Sequence, residues 1–171
     1  MARPMDGNRL HYLARRLRLM AFDVDGVMTD GRLYYSADGE AFKVFNSQDG
    51  HGLKRLAASG VTLAIITGRN SPMVARRASD LGIQYVVQGR EDKGAALAAL
   101  AGELGVGAEE CAYMGDDEPD VSALEWAALG FAVADAHASA QAAACRVMRA
   151  AGGRGAVREV CDLLLAARNG S

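Results

Sequence analysis

Short apolar runs alternate along this chain with longer amphipathic stretches. Leu19-Met-Ala-Phe22 is apolar at every position, as a strand covered on both faces would be, and it stops at two carboxylates one residue apart, Asp23 and Asp25. A helix from about Asn8 to Leu17 is expected before it. After it, Arg32-Leu-Tyr-Tyr-Ser and Glu40-Ala-Phe-Lys-Val-Phe45 are strand-like runs on either side of Asp38-Gly39, which is a strong hairpin signal. The pattern then repeats: helix near Asp49 to Ser59, strand Val61 to Ile66, helix Pro72 to Leu81, strand Ile83 to Val87, helix Lys93 to Leu104. It continues with strand Cys111 to Met114, helix Pro119 to Ala128, strand Gly130 to Ala134, helix Ala138 to Ala144 and a last amphipathic helix Val157 to Ala167. Such alternation predicts an α/β fold with a mostly parallel sheet, helices on both faces and a protruding hairpin over about 32–45. With no internal repeat and no linker, one domain over residues 1–171 is expected.

Composition narrows the function classes. The 171 residues suffice for one substantial core, and with 50% hydrophobic but only 6% aromatic residues that core is mostly Ala, Val and Leu. A net charge of -2 gives no reason to expect nucleic acid or an anionic membrane as partner. Cys111, Cys145 and Cys161 are odd in number and far apart, which suits reduced thiols in a cytoplasmic protein. No apolar run approaches the roughly 18 residues that span a bilayer, and the start lacks a secretory signal.

The strand ends carry the chemistry. Gly26 follows Asp23-Val-Asp25 and permits a tight turn that brings backbone amides to the same point. Val61 to Ile66 runs into Thr67-Gly68-Arg69, which offers a hydroxyl, a close-approach glycine and a cation, and Ser71 is placed to cap the next helix. Lys93 opens a helix. Ala112-Tyr-Met114 runs into Gly115-Asp116-Asp117-Glu118-Pro119-Asp120, with Pro119 suited to a first helical turn. Ligands of open α/β sheets bind outside the carboxyl ends of strands, so each group stands where chemistry is done.

This ordered set resembles the four motifs of haloacid dehalogenase superfamily phosphatases: Asp23-Val-Asp25-Gly26, Thr67, Lys93, and Gly115 to Asp120. The resemblance covers nearly the whole chain and implies a modified Rossmann fold, Mg²⁺ and an aspartyl-phosphate intermediate. It makes Asp23 the nucleophile, Asp25 the general acid and base, Thr67 with Gly68 and Lys93 the phosphate contacts, and Asp23, Asp116 and the Asp25 carbonyl the metal ligands. The charges agree, because carboxylates about 4 Å apart repel by roughly 4 kcal/mol at an effective dielectric near 20 unless a cation intervenes. Asp117 and Asp120 either support the site from behind its direct contacts, Asp120 by orienting Lys93 or a metal-bound water, or simply suit a helix N-terminus. Arg69 divides between a substrate contact and a surface ion pair; His51, opening a helix near the hairpin, is a weaker substrate candidate.

Only 44 positions (67 − 23) separate Asp23 from Thr67, and the hairpin, a helix and a strand occupy them; only 26 (93 − 67) separate Thr67 from Lys93. No inserted cap domain fits. The hairpin, bearing Leu33, Tyr34, Tyr35, Phe42 and Phe45, would leave apolar surface in water if alone, so a homo-oligomer whose neighbouring subunits roof the site is expected. Gly152-Gly-Arg-Gly-Ala-Val-Arg158-Glu159 resembles the GGxGAxRE segment of the capless, tetrameric 3-deoxy-D-manno-octulosonate 8-phosphate (KDO 8-phosphate) phosphatases. That resemblance implies a sugar-acid phosphate substrate, a step before KDO activation in lipopolysaccharide synthesis, and an Arg158 that reaches a neighbour's site to bind the sugar carboxylate. The alternatives are a nonulosonate 9-phosphate phosphatase acting on KDN or N-acylneuraminate, and a non-catalytic oligomerisation or regulatory domain. Gln48, Arg90 and Glu91 receive no role from the sequence.

Overall fold

A computed structural model describes residues 5–170 of the chain. Its elements follow in the order α1 (Gly7–Arg16), β1 (Leu19–Phe22), β2 (Tyr34–Ser36), β3 (Gly39–Phe42), α2 (Ser47–Ala58), β4 (Thr62–Ile66), α3 (Pro72–Leu81) and β5 (Tyr85–Val87). There follow α4 (Lys93–Glu103), β6 (Cys111–Gly115), α5 (Val121–Trp126), β7 (Leu129–Ala132), α6 (Ala138–Ala143), β8 (Arg146–Val147) and α7 (Ala156–Asn169). Six strands form one parallel sheet in the order β5-β4-β1-β6-β7-β8, and β2 with β3 makes the separate hairpin.

β1 lies in the middle and is buried at all four positions, as its unbroken apolar run requires. Phe22 sits level with Ile65 of β4 on one side and Met114 of β6 on the other. From β1 the chain builds outward through β4 to β5, then crosses back and builds the other way through β6, β7 and β8. Right-handed crossovers therefore set α2 and α3 on one face and α4, α5 and α6 on the other. α7 packs against α2, and α1 against α7, which thickens the first layer. No helix among the described residues is long and apolar enough to cross a membrane.

Several local expectations shift. α2 begins at Ser47, two residues before Asp49, because the Asn46 side chain accepts the Gln48 N–H and caps it there. Ser71 stands at the N-cap of α3 but makes no side-chain cap; its Oγ is buried without a hydrogen-bond partner, and its own N–H donates to the Gln88 side chain. The helix expected from Pro119 opens as a 3₁₀ turn, Glu118–Asp120, before α5. β8 was not expected at all, since two residues are too few to show a period.

The last helix has no side chain of its own at its N-cap, Gly155. Asp49 of α2 supplies one from outside, its buried Oδ1 accepting the Arg158 N–H at 2.9 Å. Asp49→Ala is expected to lower stability by about 1–2 kcal/mol, as loss of a cap does, and Asp49→Asn by less. Urea midpoints of the two variants check this.

Candidate active site

Three parallel strands end together. The chain leaves β1 at Asp23, whose N–H donates to the Met114 carbonyl at 3.0 Å, and leaves β4 at Thr67, whose N–H donates to the Val87 carbonyl at 2.9 Å. β6 ends at Gly115 and hands on to Asp116. These ends meet where the strand order reverses, in a cavity of about 250 Å³ whose lining includes Asp23, Asp25, Thr67, Gly68, Arg69, Lys93, Asp116, Asp117 and Asp120. A larger cavity of about 540 Å³, beside Arg9, Glu109 and Trp126, lies at the opposite end of β6 and β7 and receives none of these groups.

Lys93, the first residue of α4, joins the motifs. Its Nζ is 3.0 Å from Asp23 Oδ1 and 2.8 Å from Asp120 Oδ1, and all three side chains are buried. Asp120 is fully used: besides Lys93 it accepts from the Tyr113 hydroxyl at 2.6 Å and from the N–H groups of Asp116 and Asp117 at 2.8 and 3.1 Å. Both readings of Asp120 find contacts: Oδ1 meets Lys93, and Oδ2 accepts the Asp116 and Asp117 N–H groups at the start of the helical turn. Burial works against the Lys93 charge, yet Asp23 and Asp120 together hold its pKa above the usual lysine value.

One ammonium cannot balance the acids. Burial first, then the Asp120 charge, pushes the Asp23 carboxyl above the carboxylate range, while Lys93 pulls it back. Burial and the neighbouring Asp23 raise Asp116 in the same sense. Carboxylate oxygens of Asp23, Asp116 and Asp120 lie within 4.8 Å of one another, an arrangement that suits a divalent cation. With Asp120 occupied by four donors, Asp23 and Asp116 are the side chains left to hold one. Gly26 makes room for this: its φ is +87°, and a Cβ there would overlap the Asp116 carboxylate. Oxygen ligands alone select a hard cation.

Around this centre, Thr67 is buried, and Asp117 is exposed with its carboxylate accepting the Glu118 N–H, the helix-terminus arrangement. Arg69 reaches the hairpin, donating to Glu40 at 3.0 Å and to the Tyr35 hydroxyl at 3.4 Å, and stands 3.8 Å from Asp25. His51 and Arg158 do not line the cavity. His51 is exposed on the first turns of α2, and the Arg158 guanidinium turns along its own helix to Asp162 at 2.9 Å. The glycine segment before it closes on its own chain: a Cβ on Gly152 would overlap the Gly26 carbonyl, and the Gly153 N–H donates to the Val27 carbonyl at 3.0 Å. It buttresses the loop after Asp25. Gln48 is exposed on α2, Arg90 pairs with Asp92, and Glu91 borders the cavity.

A haloacid dehalogenase-like hydrolase model matches residues 86–158. The chain is 46% identical over 155 residues to the 3-deoxy-D-manno-octulosonate 8-phosphate phosphatase KdsC of Escherichia coli K12, covering 91% of this chain and 82% of the relative. The chain belongs to the KDO 8-phosphate phosphatase family of haloacid dehalogenase-like hydrolases. A Moraxella catarrhalis member of the family, solved with magnesium ion, phosphate ion and KDO, superposes with a TM-score of 0.92 at 45% identity, over 95% of this chain and 93% of that one. A cobalt-bound Haemophilus influenzae member superposes with 0.89 at 41% identity, over 92% of each chain.

Two contacts of this KDO 8-phosphate phosphatase-like site escaped the sequence reading. Tyr113 was given no role of its own; it is a buried β6 residue whose hydroxyl donates to Asp120. Lys43 was passed over as part of the hairpin, and its ammonium lies 2.6 Å from Asp25 Oδ1. The one hint was a lone cation in the strand-like run Glu40 to Phe45.

Proposed function

We propose that the protein hydrolyses KDO 8-phosphate to KDO and inorganic phosphate, with Mg²⁺, through a phosphoryl group carried on Asp23. The observation that carries this is the buried Asp23, Lys93 and Asp120 with the half-buried Asp116 at the end of β1, beside the Thr67 side chain. A Mg²⁺ held by the carboxylates of Asp23 and Asp116 and by the Asp25 carbonyl would neutralise the acids and polarise the phosphoryl group.

Asp23 attacks phosphorus, forming a bond to one carboxylate oxygen as the bond to the sugar oxygen breaks. Asp25 gives its proton to that oxygen. It then takes a proton from water, which attacks phosphorus and releases phosphate from Asp23. Lys93, fixed by Asp120, offsets the charge that grows on the phosphoryl oxygens, and Thr67 with the amides after Asp25 and Thr67 holds them. Phosphate release from a panel of sugar-acid phosphates, with and without a chelator, tests the reading. KDO 8-phosphate should be turned over well ahead of N-acylneuraminate 9-phosphate, and chelation should stop both. Preference for the nonulosonate, or turnover indifferent to the chelator, would overturn it.

The working form is a cytoplasmic homo-oligomer, and a tetramer fits best. Leu33, Tyr35, Phe42 and Val44 of the hairpin region are 46, 62, 51 and 51% exposed, which is apolar surface suited to hairpins of other copies. Such copies would roof a site that has no cap of its own. Light scattering on a size-exclusion column should give a multiple of the chain mass; a stable, active monomer would contradict it.

A further inference from the structure

Asp25 is held differently from every other acid of the site. Where Asp120 accepts four hydrogen bonds, the Asp25 carboxylate receives one among the described residues, from Lys43 at 2.6 Å. Its second oxygen is buried without a hydrogen-bond donor, with Arg69 Nε at 3.8 Å. Lys43 comes from just beyond β3, 18 positions along the chain, and only 4% of its side chain is exposed. Its other partner is Glu40, at 3.0 Å. A buried ammonium is costly to place, and this one is aimed at the residue that must exchange a proton twice per turnover.

A side chain with two free torsions has several rotamers of similar energy, and proton transfer succeeds from few of them. We propose that Lys43 is a positioning residue: its ammonium selects the orientation of Asp25 from which a proton passes to the departing sugar oxygen. Lys43 itself touches neither phosphate nor sugar in this scheme. The proposal rests on Asp25 as general acid. The plain alternative is a salt bridge that pins the hairpin to the domain. Arg69, however, pins the same hairpin through Glu40 and the Tyr35 hydroxyl, so a pin need not be directed at Asp25.

The leaving group separates the two. Nitrophenolate departs without a proton, whereas a sugar alkoxide needs one, so a residue that orients the acid matters for one substrate and not the other. For Lys43→Met, kcat/KM on KDO 8-phosphate should fall at least about tenfold while kcat/KM on p-nitrophenyl phosphate stays within about threefold of the parent. Lys43→Arg should recover most of the loss, and in a single turnover, before Asp25 acts on water, Asp25→Asn should slow release of KDO far more than release of nitrophenolate. If Lys43→Met does not fold, Lys43→Gln carries the same comparison. Equal losses on both substrates in the Lys43 variants, with Asp25→Asn still selective, would overturn the positioning role alone. An Asp25→Asn variant that releases both leaving groups equally slowly in that single turnover would overturn the general-acid reading, and the Lys43 proposal with it.

Discussion

Asp23→Asn is expected to abolish turnover, by at least about four orders of magnitude, while leaving the protein folded. The amide is nearly isosteric with the carboxylate but cannot attack phosphorus, and no second carboxylate stands in its place: Asp116 is raised and faces the same cavity, and Asp120 is saturated by its four donors. Stability should move the other way. Asp23 is an acid whose charge burial and Asp120 both oppose, so removing that charge relieves the metal-free protein. Thermal unfolding without metal should place the Asn variant at or above the parent, the trade expected where function keeps like charges together. A variant that unfolds, or one that keeps a tenth of the parent rate, would count against the assigned role.

Lys93→Met is expected to damage activity and folding together. Its ammonium is the sole cation within 3.0 Å of both Asp23 and Asp120 among the described residues. Removing one partner of a buried ion pair costs about 3–5 kcal/mol, because the charge left behind is uncompensated. Activity should fall by roughly three orders of magnitude, since the developing phosphoryl charge loses its nearest fixed cation. Lys93→Arg should not restore it: the Asp120 oxygen that meets Nζ is also bonded by Tyr113 at 2.6 Å, which leaves no room for a planar fork. Urea unfolding and steady-state rates on the same preparations check the pair of effects.

The parts of the site legible in the sequence were those where a backbone rule and a residue type coincide. A fully apolar run ending in Asp23-Val-Asp25-Gly26 reads as a strand buried on both faces that leaves into a turn, and the similar runs into Thr67 and Asp116 read as further strand ends; that these strands flank β1 is seen only in the fold. Asp120 was legible only as a choice of roles, because its contacts with Lys93 and Tyr113 are made across the fold and leave no local pattern. Lys43 was hidden for the same reason. Where a hairpin leans is set by tertiary contacts through Arg69, Glu40 and Tyr35, and local pattern says nothing of them. For Arg158 the resemblance implied reach toward another subunit; within the chain the glycines before it allow close packing on Gly26, and the guanidinium meets Asp162 one turn away.

The central claim is that Asp23 itself carries the phosphoryl group between the two half-reactions. Turnover of KDO 8-phosphate with Mg²⁺, quenched in acid, reduced with borohydride and mapped by peptide mass spectrometry, tests it most directly. The account predicts homoserine at position 23, present only when substrate and metal were both supplied. An unmodified Asp23 under full turnover, or reduction at another carboxylate, would contradict it.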